Sequence, residues 1–427
     1  MRKSWQRSLL QSLACVSAFA EPSLASAEGR MPQILGASYV VGGDGPSVKI
    51  INGEATTWYP TVGALLHRDP NTNLFVGTCT ATLIGCSTIL TAAHCIRVDW
   101  PPSYPVDDIK DYKVFFQHGG TFDIATYATP PEQYVKPNPQ TGAEADIAVL
   151  KLTAPVTGIA PDEINGELAP DTTDGGGDNG HPPTVHGMIL GFGSNPKEER
   201  PGEGDPTDYG LKRFGSVTAV SCPHGFPQSK LVCWTYPSSS SNTCVGDSGG
   251  PLFLPLSETP HETISGVTSG GVPEKKCLPG DKSFDTSVFY YRKSIKSAAG
   301  SDLGQTSCGQ QIALEDRTYR HTSFSGQIND DRPVHVFEVE VKDAQELRVG
   351  VNMARPINMK AQESIALPQL SLINGKNRDT ANALCAKPNA IAALCNRVNP
   401  TDGFYTIVLE RQSASGTSDF QLVVSVF

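Results

Sequence analysis

Ser248 lies in the stretch Cys-Val-Gly-Asp-Ser-Gly-Gly-Pro (244–251), and His94 lies far upstream in Thr-Ala-Ala-His-Cys (91–95). A serine hydroxyl is a weak nucleophile until a base accepts its proton during attack. An imidazole, whose ordinary pKa lies near neutrality, is suited to that task. The glycines flanking Ser248 let the backbone turn sharply and bring the amides of Gly246 and Ser248 to one point, where they would stabilise an oxyanion. Asp146, in Ala-Asp-Ile-Ala-Val-Leu-Lys-Leu (145–152), could hold the imidazole in the tautomer a base requires. Each residue also has a plainer reading: a turn serine, a buried structural histidine, an acid at a strand edge. Asp247 directly before Ser248 and Cys244 four residues before it favour chemistry, and that chemistry is acyl transfer.

The elements around these residues read as strands. Thr-Ala-Thr-Leu-Ile (80–84) and Ser-Thr-Ile-Leu-Thr (87–91) are short β-forming runs bounded by turn residues, and strand-like runs resume at 184–191 and continue to 288. The 41 glycines and 33 prolines in 427 residues favour a loop-rich β architecture. Apolar positions at Phe289, Tyr291, Ile295 and Ala298, stopped by Gly300, predict a helix. Beyond it, 334–341, 346–351, 404–409 and 420–426 cluster β-formers between turns, as in a small β-sandwich.

The chain resembles the trypsin-like (chymotrypsin-fold) serine endopeptidases over roughly residues 50–300. Five stretches fall in family order: Ile-Ile-Asn-Gly (50–53), Thr-Ala-Ala-His-Cys (91–95), Asp-Ile-Ala-Val-Leu (146–150), Gly-Asp-Ser-Gly-Gly-Pro (246–251) and Ile-Ser-Gly-Val-Thr-Ser-Gly-Gly (264–271). The order His, Asp, Ser is also that of the family. The resemblance implies an all-β fold of two six-stranded antiparallel barrels with a C-terminal helix, followed here by the small β-sandwich. In layout that last domain is similar to modules appended to secreted bacterial proteases. The resemblance also implies peptide-bond hydrolysis with Ser248 as nucleophile, His94 as base and Asp146 as its orienter, with no cofactor or metal. Gly246 and Ser248 would form the oxyanion hole. Ile50, freed by cleavage after Lys49, would pair with Asp247, making the chain a zymogen with an activating protease as partner.

Specificity departs from the family. Asn242 stands six residues before Ser248, where trypsin-type enzymes carry an aspartate, so a neutral side chain is the expected substrate feature. Gly271 and Ser287 are expected on the pocket walls, with Asp285 near the second wall. Ser269 is expected to line the cleft and bond the triad carboxylate, and Gly270 replaces the usual aromatic residue.

Setting Cys15 aside leaves ten cysteines, an even number suited to an oxidising compartment. The resemblance pairs Cys79 with Cys95, Cys222 with Cys233, and Cys244 with Cys277. A further family bridge is missing on both sides, at Gly187 and Leu254. Cys385 and Cys395 are near neighbours and would close a local loop. That leaves Cys86 and Cys308, which could tie the protease to whatever follows its last helix; the sequence leaves open whether they pair. No metal-ligand spacing accompanies these cysteines.

Residues 1–27 read as an export signal: Arg2, Lys3 and Arg7 precede a moderately apolar stretch from Leu9 to Ala20, with Ala25-Ser26-Ala27 for cleavage. Residues 28–49 are polar, glycine-rich and without obvious periodicity, as a propeptide would be. The expected organisation is then a protease domain at 50–300, a linker at 301–320 and a sandwich at 321–427. Secretion to the periplasm or the exterior is expected from the signal. A net charge of −10 argues against nucleic acid as the main partner, and no run of about 18 apolar residues predicts a membrane span. The acidic, glycine-rich run 171–178 lacks the spacing of a calcium loop and reads as solvated surface. The alternatives are an inactive protease homologue or an adhesion or glycan-binding protein acting through the C-terminal domain.

Overall fold

Each strand of the first barrel alternates or clusters buried β-branched and aromatic side chains, and six of them close on themselves. They are Val62–Arg68, Phe75–Gly85, Thr88–Thr91, Tyr112–Phe116, Gly120–Ala128 and Ala148–Leu152. The computed structural model describes residues 31–41, 53–70, 73–96, 108–132, 135–138, 142–167, 185–194, 210–237, 240–255, 262–271, 277, 279–305, 307–309, 312, 320–354, 367–375, 384–385, 392–412 and 418–427. The second barrel comprises Val185–Gly191, Arg213–Val220, Leu231–Thr235, Pro251–Pro255, Glu262–Gly271 and Lys282–Ser287. It is closed by antiparallel pairing of its first two strands, and Glu54–Ala55 adds to the outer edge of Arg213–Val220. Closure removes free sheet edges around the cleft.

The predicted helix runs from Val288 to Ala299, with Ser287 Oγ accepting from the Tyr290 amide and Gly300 ending it at φ +61°. Val288, Tyr291 and Ile295 bury one face in the first-barrel core. The four disulfides expected from the sequence form, and Cys86 and Cys308, whose pairing the sequence left open, form a fifth that ties the first barrel to the segment after the helix. The missing family bridge has a packing counterpart. A Cβ placed on Gly187 would lie 2.5 Å from Leu254 Cδ2, so leucine fills the space a second cystine would use.

The C-terminal strands form two sheets over one apolar core. His321–Ile328, Ser418–Val426, Glu346–Met353, Ala392–Val398 and Leu384–Cys385 make one sheet. Val334–Lys342, Gly403–Gln412 and Leu367–Asn374 make most of the other, and its edge strand is Gln33–Val41 from the amino-terminal segment. That strand was not legible in the sequence: residues 35–38 face solvent, and its partner lies some three hundred residues away.

This sandwich meets the barrels through buried polar groups. Gln421 Oε1 accepts from the Lys212 amide at 3.0 Å and from Gln117 Nε2 at 2.9 Å, while its Nε2 donates to the Lys212 carbonyl at 2.9 Å. Asn352 accepts from Gln117 and donates to the Gly210 carbonyl. His118 Nε2 donates to the Thr57 carbonyl, which leaves Nδ1 to accept from Ser425 Oγ. Burial, reinforced by the nearby His321, Lys212 and Arg348 charges, lowers the His118 pKa well below 6.5, so the ring packs neutral. Arg348 stacks on Phe427 and donates to the Thr157 carbonyl at 2.7 Å. Pro32–Phe427 is accordingly one compact unit.

Candidate active site

His94 sits on the one-turn helix Ala93–Cys95 that follows strand Thr88–Thr91. Ala93 and Cys95 are buried on either side of it, and the Cys79–Cys95 bridge pins the turn to the neighbouring strand, while the His94 ring stays partly exposed. Asp146 is wholly buried. It follows Ala145, which adopts φ +52°, a left-handed conformation uncommon for alanine. That backbone is held from outside: the Ala145 amide donates to Tyr291 Oη at 2.8 Å, and Thr286 Oγ1 donates to the Asp146 carbonyl at 2.9 Å. The helix and the last barrel strand thus aim the carboxylate.

The carboxylate takes three donors. Asp146 Oδ1 accepts from the His94 amide at 2.9 Å, and Oδ2 lies 2.8 Å from His94 Nδ1 and accepts from Ser269 Oγ at 2.5 Å. With a carboxylate opposite it, Nδ1 carries the proton, and Nε2 is then the basic nitrogen. The sequence expectation for Ser269 as a partner of the triad acid agrees with this contact.

Ser248 arrives from the other barrel, and its backbone is fixed at the junction. Its carbonyl accepts from the Thr80 amide at 2.8 Å and lies 3.6 Å from Cys95 Sγ, one residue from His94. Gly246 and Gly249 adopt φ +95° and +81°, conformations that favour glycine. Gly249 is also required sterically, because a Cβ there would lie 2.1 Å from Thr91 Oγ1. The Gly246 carbonyl accepts from Thr80 Oγ1 at 3.0 Å, which turns that peptide group.

Asp247 points inward. Its carboxyl oxygens accept from the amides of Gly193 and Cys244, both at 2.8 Å, and the buried Arg213 stands close enough to act on its charge. Burial outweighs these effects and raises its pKa to about 6. Glycine at 191 and 193 leaves room for it: a Cβ on Gly191 would lie 2.0 Å from Asp247 Oδ1. Ile50, its expected partner, lies outside the described residues, as do the export signal and the run 171–178.

Beside Ser248 opens a cavity of about 170 Å³ lined by Thr243, Val245, Thr268, Gly270, Gly271, Asp281 and Ser283, among others. Gly271 stands where the sequence put it. Ser287 does not: it caps the helix, and the wall position belongs to Ser283, four residues earlier on the same strand. Asn242 lies beneath the cavity, fully buried. Its Oδ1 accepts from Trp234 Nε1 at 3.1 Å and Ser283 Oγ at 2.7 Å, and its Nδ2 donates to Asp281 Oδ2 at 3.0 Å. Asp285, also buried, is absent from the walls, and burial holds its pKa well above the carboxylate range. Sequence reasoning missed Asp281. Its position four residues past the bridged Cys277 was the available signal.

Among the described residues, Cys79, His94 and Cys95 cluster at metal-ligand distance, but the two sulfurs are joined to each other and offer no thiolate.

The sequence model of the trypsin family matches residues 54–295. The chain is 27% identical over 234 residues to a snake venom serine protease of Crotalus durissus durissus, covering 53% of this chain and 80% of that protein. It is 29% identical over 198 residues to a trypsin of Saccharopolyspora erythraea, covering 45% and 75%. It is also 27% identical over 241 residues to the alpha-fibrinogenase albofibrase of Trimeresurus albolabris, covering 53% and 80%. With barrels, cleft and motifs in the same order, this chain belongs to the trypsin family of serine proteases.

Proposed function

We propose that the protein is a secreted serine endopeptidase, made as a zymogen and activated by cleavage between Lys49 and Ile50. The observation that carries the reading is the Asp146 carboxylate bonded at once to His94 Nδ1, the His94 amide and Ser269 Oγ, beside the Ser248 turn. In the acylation step Ser248 Oγ attacks the scissile carbonyl as His94 Nε2 takes its proton. The amides of Gly246 and Ser248 stabilise the oxyanion, and the proton passes to the leaving amine as the C–N bond breaks. Water then repeats the sequence and releases the acid. Five disulfides suit an oxidising, extracellular setting, and no helix among the described residues is long and apolar enough to cross a membrane.

Activation rests on Asp247. In the family the new terminal ammonium folds inward to this residue, and a carboxylate buried to the degree seen here is costly without a cation. Arg213 gives it a partial positive field, and the Ile50 ammonium would complete it. Pairing raises the pKa of the ammonium above the roughly 8 of a free α-amine. The stabilisation is therefore complete below that value and fades as pH climbs through the raised one.

The test is a Lys49→Gln precursor exposed to trypsin beside the parent. The parent should gain several orders of magnitude in activity as the Lys49–Ile50 bond is cut, and the variant should not. Full activity in the uncut variant would mean that the terminal ammonium is not the switch.

A further inference from the structure

The amino-terminal segment ahead of Lys49 is built into the C-terminal sandwich. Gln33–Val41 pairs antiparallel with Val334–Lys342 at seven positions, from Gln33 opposite Lys342 to Val41 opposite Val336. Pro32 is buried at its start, and Ile34, 6% exposed, enters the sandwich core with Phe337, Val339 and Val341. The same core holds Phe420, Leu422 and Val424, from the strand whose Gln421 reaches the backbone of Lys212. The segment therefore belongs to the apolar unit that is bonded to the barrels.

The strand it covers shows what the pairing does. Val334–Lys342 alternates half-buried and buried residues along all nine positions, and it pairs with Gly403–Gln412 without a register shift. Left uncovered, it would be a long, regular sheet edge with a row of backbone groups open to any other strand. Gln33–Val41 closes that edge and is itself a poor one. Its ladder is interrupted at Leu35 and again at Val40, where the register shifts. Such bulges twist an edge away from further pairing.

Cleavage between Lys49 and Ile50 would fall between two anchored strands. One is Gln33–Val41, and the other is Glu54–Ala55, which pairs with Arg213–Val220 of the second barrel. Residues 28–49 contain no cysteine, so no disulfide can hold them once the chain is cut.

We infer that the segment stays bound after activation as a non-covalent strand, so that the active enzyme is a two-chain complex. The inference rests on the activation at Lys49–Ile50 proposed above. Recognition is by strand addition, in which main-chain hydrogen bonds supply affinity. Ile34 fixes the register, because a slip of one residue would turn it from the core to solvent. Retention keeps the Val334–Lys342 edge closed in the mature enzyme.

To test it, the precursor is cut with limiting trypsin, cleavage is verified by mass, and the product is run by gel filtration and native mass spectrometry. The expected result is a one-to-one complex of the segment with residues 50–427 that separates in denaturant. Ile34→Ala, which removes buried apolar contact, should speed release of the segment by at least about tenfold. Ile34→Asp, which brings a charge to the core, should lose the segment on cutting. Thermal unfolding of each uncut precursor establishes its fold, and Ile34→Ala carries the test if the uncut Ile34→Asp chain is unfolded. A segment that elutes alone from the parent overturns the inference, as does unchanged retention in a folded variant. The two readings fail separately. A verified cut that brings no activity refutes activation, whereas activity gained while the segment elutes alone refutes retention. A Lys49–Ile50 bond that resists trypsin refutes both.

Discussion

Replacing Ser248 with alanine should lower turnover by about four to six orders of magnitude and leave the fold unchanged. The size of the effect reflects what is lost. The His94–Asp146 pair and the amides of the turn remain, but no atom is left to form the acyl bond. Residual activity within tenfold of the parent would remove Ser248 from the mechanism. The fold should survive because the turn is held by its backbone, through the Thr80 amide on the Ser248 carbonyl and the Gly249 amide on the Thr268 carbonyl, each at 2.8 Å. Thermal unfolding of the variant beside the parent checks this.

A chain ending at residue 312 should fail to fold stably, because the sandwich is built into the protease. Removing it strips Gln421 from the backbone of Lys212 and Thr56, Asn352 from Gly210, and Ser425 from His118. Each lost bond removes about 1 kcal/mol, and each polar group left half-buried costs about 1–3 kcal/mol. Half a dozen such losses match the roughly 5–15 kcal/mol that stabilises an ordinary domain. The strands at stake also matter for catalysis, since Arg213 follows Lys212 directly and acts on Asp247. The check is soluble expression and thermal unfolding of residues 1–312. A truncated protein that unfolds within a few degrees of the parent would make the sandwich a detachable module.

The proposed triad was legible in the sequence because its chemistry needs short, locally constrained runs: glycines around Ser248, small residues before His94, a strand after Asp146. The same holds for the helix, where Gly300 marks the stop. The hidden features depend on distance. Asp281 comes beside Gly271 only because Glu262–Gly271 and Lys282–Ser287 pair antiparallel, and its place just past a bridged cysteine hints at that position without fixing it. Ser287 and Ser283 share a strand face, so spacing alone could not choose between them. Gln33–Val41 lacks alternation strong enough to announce a strand and finds its partner across most of the chain.

Whether Ser248 is a nucleophile activated by His94 can be read directly by covalent labelling of the trypsin-activated protein with a fluorophosphonate, followed by peptide mapping. The expected outcome is one adduct, on Ser248, lost in both Ser248→Ala and His94→Ala. No adduct on an activated protein of confirmed fold, or an adduct on a different serine, would contradict the acyl-transfer mechanism.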